Sequence, residues 1–160
     1  MIIKPQTIAD EQIISNIANH EEQVWVHGID ITLESIEMID ENSCNELTLT
    51  SRTHAQRKKI IFVDNKTKLN IGTYDIVFNE KIDIPDWMCA VIYTRSTVNR
   101  WGNYITTWLY DAWYTWILWW VLHVKIPIVL EKWVRLAQIV FQKTQTGKTY
   151  DWIYNKTKTA

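Results

Sequence analysis

The side chains best suited to chemistry lie between Arg95 and Gln138. Arg95-Ser96-Thr97, with Asn99 and Arg100 close behind, sets guanidinium, hydroxyl and amide donors side by side. Such donors hold an anion, phosphate oxygens above all, by charge-assisted hydrogen bonds. Further on, Asp111 stands alone among aromatic residues, with Tyr114 three positions beyond it. A lone carboxylate in that setting can orient or deprotonate a water. On spacing alone, the stretch reads equally as a buried turn and strand whose Arg95 and Asp111 pair with neighbours.

Other chemistries find less support. Thr146-Gly147-Lys148-Thr149 imitates the end of a phosphate-binding loop, but the glycine required five residues before Gly147 is Gln142. His20, His27, His54 and His123 are scattered, with no His-Glu-x-x-His and no cysteine at zinc spacing, so no protein-ligated metal is expected. His123 reads as a satisfied histidine on an apolar strand. A net charge of −1 gives no electrostatic reason to expect nucleic acid or an anionic membrane as partner. The start of the chain lacks the apolar run of a signal peptide, and Ala112 to Val124 is too short to span a bilayer. Cys44 and Cys89 form no Cys-x-x-Cys, which suits a reduced, cytoplasmic protein.

The elements that must position these residues read mostly as strands. The exception is the N-terminus, where Ile8, Ile13, Ile14 and Ile17 suggest a helix from about Asp10 to Ala18, after a turn at Pro5 and with Thr7 as N-cap. From Val24 the period becomes two. Ile29, Ile31, Leu33 and Ser35 alternate with Asp30, Thr32 and Glu34, so Asp30 falls on the polar phase, either as a solvated carboxylate or as a partner for an arginine. The basic run Arg57-Lys58-Lys59 reads as a solvated face. Short strands are expected at 60–63, 74–78, 81–84, 88–93, 104–109, 117–124, 126–131 and 134–141. Asp64-Asn65, Gly72, Asn79-Glu80 and Pro85-Asp86 punctuate them. Regular short strands without alternating helices predict an all-β sandwich. The chain divides into a β domain over 1–142 and a polar C-terminal tail over 143–160.

Arg95-Ser96-Thr97, Asp111-x-x-Tyr114 and Arg135-Leu136-Ala137-Gln138, in that order and spacing, resemble the trimeric dUTPase and dCTP deaminase superfamily. Asp30 in His-Gly-Ile-Asp-Ile-Thr-Leu resembles its first motif, and Tyr150 in Lys-Thr-Tyr-Asp-Trp resembles the closing motif of its deaminase-like branch. The likeness covers about residues 1 to 154. It implies a distorted jelly roll with a short N-terminal helix, assembled as a homotrimer. It also implies roles. Arg95, Ser96 and Thr97 would hold phosphates, with Asn99 and Arg100 nearby, and Asp111 would position the attacking water. The hairpin from Trp108 through Leu109 to Tyr114 would read a pyrimidine through its backbone, with Tyr114 packed on the deoxyribose. Asp30 would partner a motif arginine, Arg135 would belong to the Arg-x-Ala-Gln motif, and Gln138 and Tyr150 would complete the site. Mg2+ would be held mainly through substrate phosphates.

Two branches of the superfamily differ in one carboxylate. Deaminases carry a catalytic glutamate about ten residues after the motif Asp. Here that position is Val121, and no Asp or Glu lies between Asp111 and Glu131. The resemblance therefore implies a dUTP diphosphatase, with dCTP deamination, alone or in a bifunctional enzyme, as the alternative. A third reading is a catalytically impaired scaffold, because the chain departs from the family pattern in one systematic way. Trp108, Trp113, Trp116, Trp133 and Trp152 stand where the family usually has glycine. The chain holds 10 Trp and 4 Gly in 160 residues, where the usual ~7% would give about 11 glycines. These positions are expected either to need φ > 0, which tryptophan resists, or to be regular strand, which it tolerates.

Overall fold

The computed structural model describes residues 1–145. The chain begins with helix α1 (Pro5–Asp10), strand β1 (Ile14–Ser15) and helix α2 (His20–Gln23). Strands β2 (Ile29–Ile39), β3 (Glu46–Leu47), β4 (Arg52–Thr53), β5 (Arg57–Lys59) and β6 (Lys66–Leu69) follow. The long β7 (Gly72–Asp83) leads to β8 (Met88–Thr94), helix α3 (Ser96–Arg100) and β9 (Tyr104–Ile105). The described part ends with β10 (Trp108–Tyr110), β11 (Thr115–Val124), β12 (Ile128–Glu131) and β13 (Arg135–Lys143).

Antiparallel pairing joins nine of these strands into one curled sheet in the order β10-β8-β13-β2-β7-β11-β9, with β1 added on β7 and β5 on β2, while β6 pairs with β12 and β3 with β4 in two separate two-stranded sheets. Thr94 bridges its two ends: its hydroxyl donates to the Ile105 carbonyl at 2.9 Å and accepts the Ile105 N–H at 2.8 Å. The β9 edge thus lies against the end of β8. Ile29, Ile31, Leu33, Ile76, Leu118 and Ile139 fill the space between the curled walls at 0% exposure. The expected all-β distorted jelly roll with short helices is the observed architecture.

Local readings differ from the observed elements where tertiary contacts intervene. The helix expected from Asp10 to Ala18 instead spans Pro5–Asp10, with proline in its first turn, where its missing N–H costs nothing. Thr7 lies inside that helix and is not its cap. Positive φ at Gln12 (56°) and Asn16 (65°) ends helical propagation, and Ile14 pairs with Ile82 as a strand. Residues 60–63 form no strand beyond a bridge from Val63 to Lys66 around the Asp64-Asn65 turn. The expected strands 74–78 and 81–84 are one strand, β7, and Glu80 is fully buried within it.

In β2 the predicted phase holds through Leu33. A bulge then shifts the register between Leu33 and Ser35, so Ile36, not Ser35, takes the next buried position. The solvated reading of Asp30 fails as well: the residue is 1% exposed. Period two identifies the apolar face of a strand. It does not say whether the other face meets water, and β2 sits mid-sheet between β13 and β7.

Candidate functional site

The site is built around one row of residues across three strands. Gln138 on β13 faces Asp30 on β2 to one side and Tyr93 on β8 to the other. Asp30 is the buried hub. Its carboxylate is ion-paired with Arg95 Nε at 3.2 Å and Arg135 Nη1 at 3.6 Å, and accepts from Trp25 Nε1 at 3.1 Å and Gln138 Nε2 at 3.2 Å. Burial pushes the Asp30 carboxyl above its usual range, and the Arg95 guanidinium, the Gln138 amide and Arg135 pull against that shift.

Glycine is needed at one point here. A Cβ on Gly28 would lie 2.6 Å from Gln138 Cγ, so only glycine lets the glutamine lie across β2 to reach Asp30.

A second buried network holds the hub from below. Gln23 in α2 accepts the N–H groups of Ala18 and Asn19 and donates to the Asp30 carbonyl at 2.9 Å and to Glu80 Oε1 at 2.7 Å. Glu80 also accepts from the Thr32 N–H at 2.9 Å and the Thr32 hydroxyl at 2.8 Å. Three donors satisfy a carboxylate that would otherwise be costly to bury. Burial still raises the Glu80 carboxyl above its ordinary value, against those hydrogen bonds. Sequence reasoning missed Gln23, Gly28 and Glu80. The only available signal was an Asn-Glu dipeptide, and it reads as a turn.

Arg95 leaves β8 in an extended conformation and caps α3. Its backbone N–H donates to the Leu136 carbonyl at 3.1 Å, and its Nε is committed to Asp30. Nη1 makes only a long contact, 3.5 Å, to the Arg135 carbonyl. Val98 is buried and anchors α3, so Ser96, Thr97, Asn99 and Arg100 stand exposed around it. Trp25, Asp30, Tyr93, Thr94, Arg95, Ser96 and Gln138 line a cleft of about 300 Å³. A neighbouring cleft of about 430 Å³ shares Tyr93 and Thr94 with it and runs past Asn99 to Thr107. Arg135, at the start of β13, also donates to the Glu22 carbonyl at 2.5 Å and so ties α2 to the hub.

Asp111 lies elsewhere. The pairing of Trp108, Leu109 and Tyr110 with Ile92, Val91 and Ala90 sets it beside Cys89, at the opposite end of β8 from Arg95. Burial raises the Cys89 thiol, and the charge of Asp111 acts in the same direction, as expected of neighbours. Five residue steps run from Ala90 to Arg95, about 17 Å. A single copy therefore brings Arg95, Ser96, Gln138, Asp30 and Arg135 together but keeps Asp111, Leu109 and Tyr114 apart from them. Asp111 is exposed, and Leu109 is 46% exposed. Tyr114 is buried, and its hydroxyl donates to the Ile117 carbonyl at 3.2 Å. Tyr150 and the tail beyond Gln145 lie outside the described residues.

Four of the five tryptophans expected at family glycine positions are described, and they divide evenly. Trp108 and Trp116 lie in β10 and β11 with ordinary strand backbone, while Trp113 (φ 69°) and Trp133 (φ 68°) are left-handed. The Val121 position is occupied as read. Its cross-strand partner Asp75 is buried and ion-paired with Arg57. His123 is partly exposed, not a core residue. It bonds the Thr106 hydroxyl at 3.0 Å and stacks on Tyr104. Among the described residues no group of three or more His, Cys, Asp or Glu side chains could hold a metal ion, and no helix is long and apolar enough to cross a membrane.

Comparison with known proteins gives one consistent neighbourhood. Residues 3–144 match the family described as dCTP deaminase-like. A probable deoxyuridine 5'-triphosphate nucleotidohydrolase of Methanosarcina mazei is 27% identical over 156 residues, covering 94% of this chain and 91% of that protein. The deoxyuridine 5'-triphosphate nucleotidohydrolase of Methanocaldococcus jannaschii is 28% identical over 137 residues, covering 84% and 88% respectively. The crystal structure of the 2'-deoxycytidine 5'-triphosphate deaminase from Agrobacterium tumefaciens superposes with a TM-score of 0.70 at 18% identity. That match covers 89% of this chain and 48% of the other, and so speaks to the fold.

Proposed function

The chain belongs to the dCTP deaminase-like family, and from that premise we propose that it is a dUTP diphosphatase working as a homotrimer. Water attacks a phosphorus of the α–β anhydride of dUTP, the bond to the pyrophosphate leaving group breaks, and dUMP and pyrophosphate result. The observation that carries this reading is the Arg95–Ser96 cleft, its guanidinium fixed through Nε by the buried Asp30. A preorganised cation beside hydroxyls stabilises charge on a phosphoryl group without reorganising during the reaction. Asp111, exposed beside the 108–114 hairpin, orients the water and accepts its proton. The hairpin reads the base, Leu109 and Tyr114 shape the sugar site, and Gln138 and Tyr150 complete the enclosure. Mg2+ bound through the phosphates would lower their charge. A cation held that way suits a site whose own donors are arginine and hydroxyls rather than a carboxylate cluster.

The separation along β8 supports a site shared between copies, as a trimer would provide. Arg95 and Asp111 must both reach one triphosphate, yet about 17 Å of strand runs from Arg95 to Ala90, the partner of the Tyr110 that precedes Asp111. A second copy that brings its hairpin to the first copy's Arg95 resolves this.

Deamination of dCTP is the second reading, favoured by the similarity in fold to a deaminase. Against it, Val121 offers no carboxylate, and the neighbouring Asp75 is committed to Arg57. Pyrophosphate release measured with dUTP, UTP, dTTP and dCTP, alongside ammonia release from dCTP, separates the two. Selective pyrophosphate release from dUTP is the expected result. Ammonia without pyrophosphate would replace this reading with the second.

A further inference from the structure

The two left-handed tryptophans occupy the same place in two separate turns. Tyr114 N–H donates to the Asp111 carbonyl at 3.2 Å, and Val134 N–H donates to the Glu131 carbonyl at 3.3 Å, which closes two four-residue turns. In each turn the third residue is tryptophan at positive φ, 69° at Trp113 and 68° at Trp133, after a residue at negative φ. This is type II geometry, whose third position calls for glycine or, less well, asparagine.

Neither turn can relax. Trp113 N–H donates to the Ile84 carbonyl at 2.8 Å and Ile84 N–H returns to the Tyr114 carbonyl at 3.0 Å. Trp133 N–H donates to the Leu33 carbonyl at 2.8 Å and Leu33 N–H returns to the Val134 carbonyl at 3.0 Å. Ile84 and Leu33 are core residues, 1% and 0% exposed. The core thus imposes the left-handed conformation on whatever residue stands there. The other positive-φ residues outside glycine, among the described residues, are Gln12, Asn16, Asp64 and Asn65. Three of these four are Asn or Asp, the side chains that tolerate the region.

A third tryptophan misfits for a different reason. Trp120, in β11 just past the register shift between Ile117 and Trp119, holds an indole N–H that is buried and has no hydrogen-bond partner among the described residues. Such a group is costly, and strand positions beside a bulge commonly take glycine. By contrast, Trp25 uses its indole N–H on Asp30 at 3.1 Å and has ordinary backbone.

Ten tryptophans against four glycines is the matching imbalance in composition. One codon connects these two residues. UGA, a stop in the standard code, is a sense codon in several variant codes, read as tryptophan in some and as glycine in others. We propose that positions 113, 120 and 133 are UGA codons and that the cell places glycine at them, whereas Trp25 is a genuine tryptophan encoded by UGG. The inference rests on backbone geometry and burial, and it holds whichever nucleotide the chain acts on.

The test is the gene's codons together with fragment-ion mass spectrometry of the protein purified from its own cells. The tryptic peptide from Trp101 to Lys125 carries positions 113 and 120, and a second protease yields the peptide around 133. The expected result is UGA at all three positions, glycine residue masses at 113, 120 and 133, and tryptophan at 25. Tryptophan masses at 113 and 133 in the native protein overturn the proposal, as do UGG codons there.

Discussion

The two type II turns allow a measurement in which the sign alone decides. Replace Trp113 by alanine and, separately, by glycine; do the same at Trp133. Both substitutions delete the indole, so the lost contacts cancel in the comparison, and only alanine retains a Cβ at φ near 69° and 68°. Holding an L-residue in the left-handed region costs roughly 1–2 kcal/mol. Glycine gives back about 0.5–1 kcal/mol of that through the greater freedom of its unfolded chain. The glycine variant should therefore be more stable than the alanine variant by about 0.5–1 kcal/mol at each site. For the two sites together this is about 1–2 kcal/mol, equivalent to roughly 2–8 °C in Tm for a chain of this length. Trp108 and Trp116 supply the reference. Both lie in strands at ordinary φ, so there the order reverses, and alanine should exceed glycine by about 0.5–1 kcal/mol. Urea unfolding at constant m reads each pair from its midpoints. Alanine equal to or above glycine at both 113 and 133 would refute the reasoning, because the turns would then not impose the conformation described.

Three further outcomes follow. Asp111→Asn should lower turnover by orders of magnitude while affinity for a non-hydrolysable dUTP analogue, read by calorimetry, changes little; unchanged turnover removes Asp111 from the mechanism. Arg95→Ala and Asp111→Asn subunits, each inactive alone, should regain part of the activity when refolded together, since a mixed trimer contains sites with one intact group from each; a mixture as inactive as its parents argues against shared sites. Glu80 titrates above its ordinary 4.5 in the folded chain, so its contribution to stability is full below that value and is lost as pH rises through the folded pKa. Glu80→Gln should therefore flatten the decline of stability above pH 4.5 relative to the parent, whatever its absolute stability, and identical slopes in the two proteins would contradict the assignment.

How far the sequence could be read depends on whether a signal is local. The alternation of Ile29, Ile31 and Leu33 placed β2 correctly because each side chain answers only to the face on which it lies. The same alternation said nothing of Asp30. Its burial comes from β13, more than a hundred residues away, whose Gln138 lies across Gly28 to reach it. The expected N-terminal helix failed for a related reason. Four isoleucines at mixed spacing served two elements, Ile8 in α1 and Ile14 in a strand against β7, and only the tertiary contact separates them. Glu80 was hidden by composition: an acid beside an asparagine suggests a turn, and only the donors of Gln23 and Thr32 make a buried strand carboxylate tolerable.

The proposed site residues stand out in the sequence more than their supports do, because their types recur at motif spacings while the supports are scattered along the chain. Arg95 with Ser96, Asp111 with Tyr114, and Arg135 with Gln138 each kept a spacing that the fold preserved. What spacing could not convey is that β8 holds Arg95 at one end and Asp111 beside the other. Motifs adjacent in sequence need not be adjacent in one copy. Arg95 is already fixed before any nucleotide arrives, because Asp30 takes its Nε and the Leu136 carbonyl takes its backbone N–H. The hairpin bearing Asp111 is held by β10 on the sheet's outer edge, by the turn through Trp113 and by the buried Tyr110 and Tyr114. A site divided in this way places its rigid half on the cation that must meet charge. Its other half, Asp111, opens a turn that the core at Ile84 locks and whose third residue stands at positive φ.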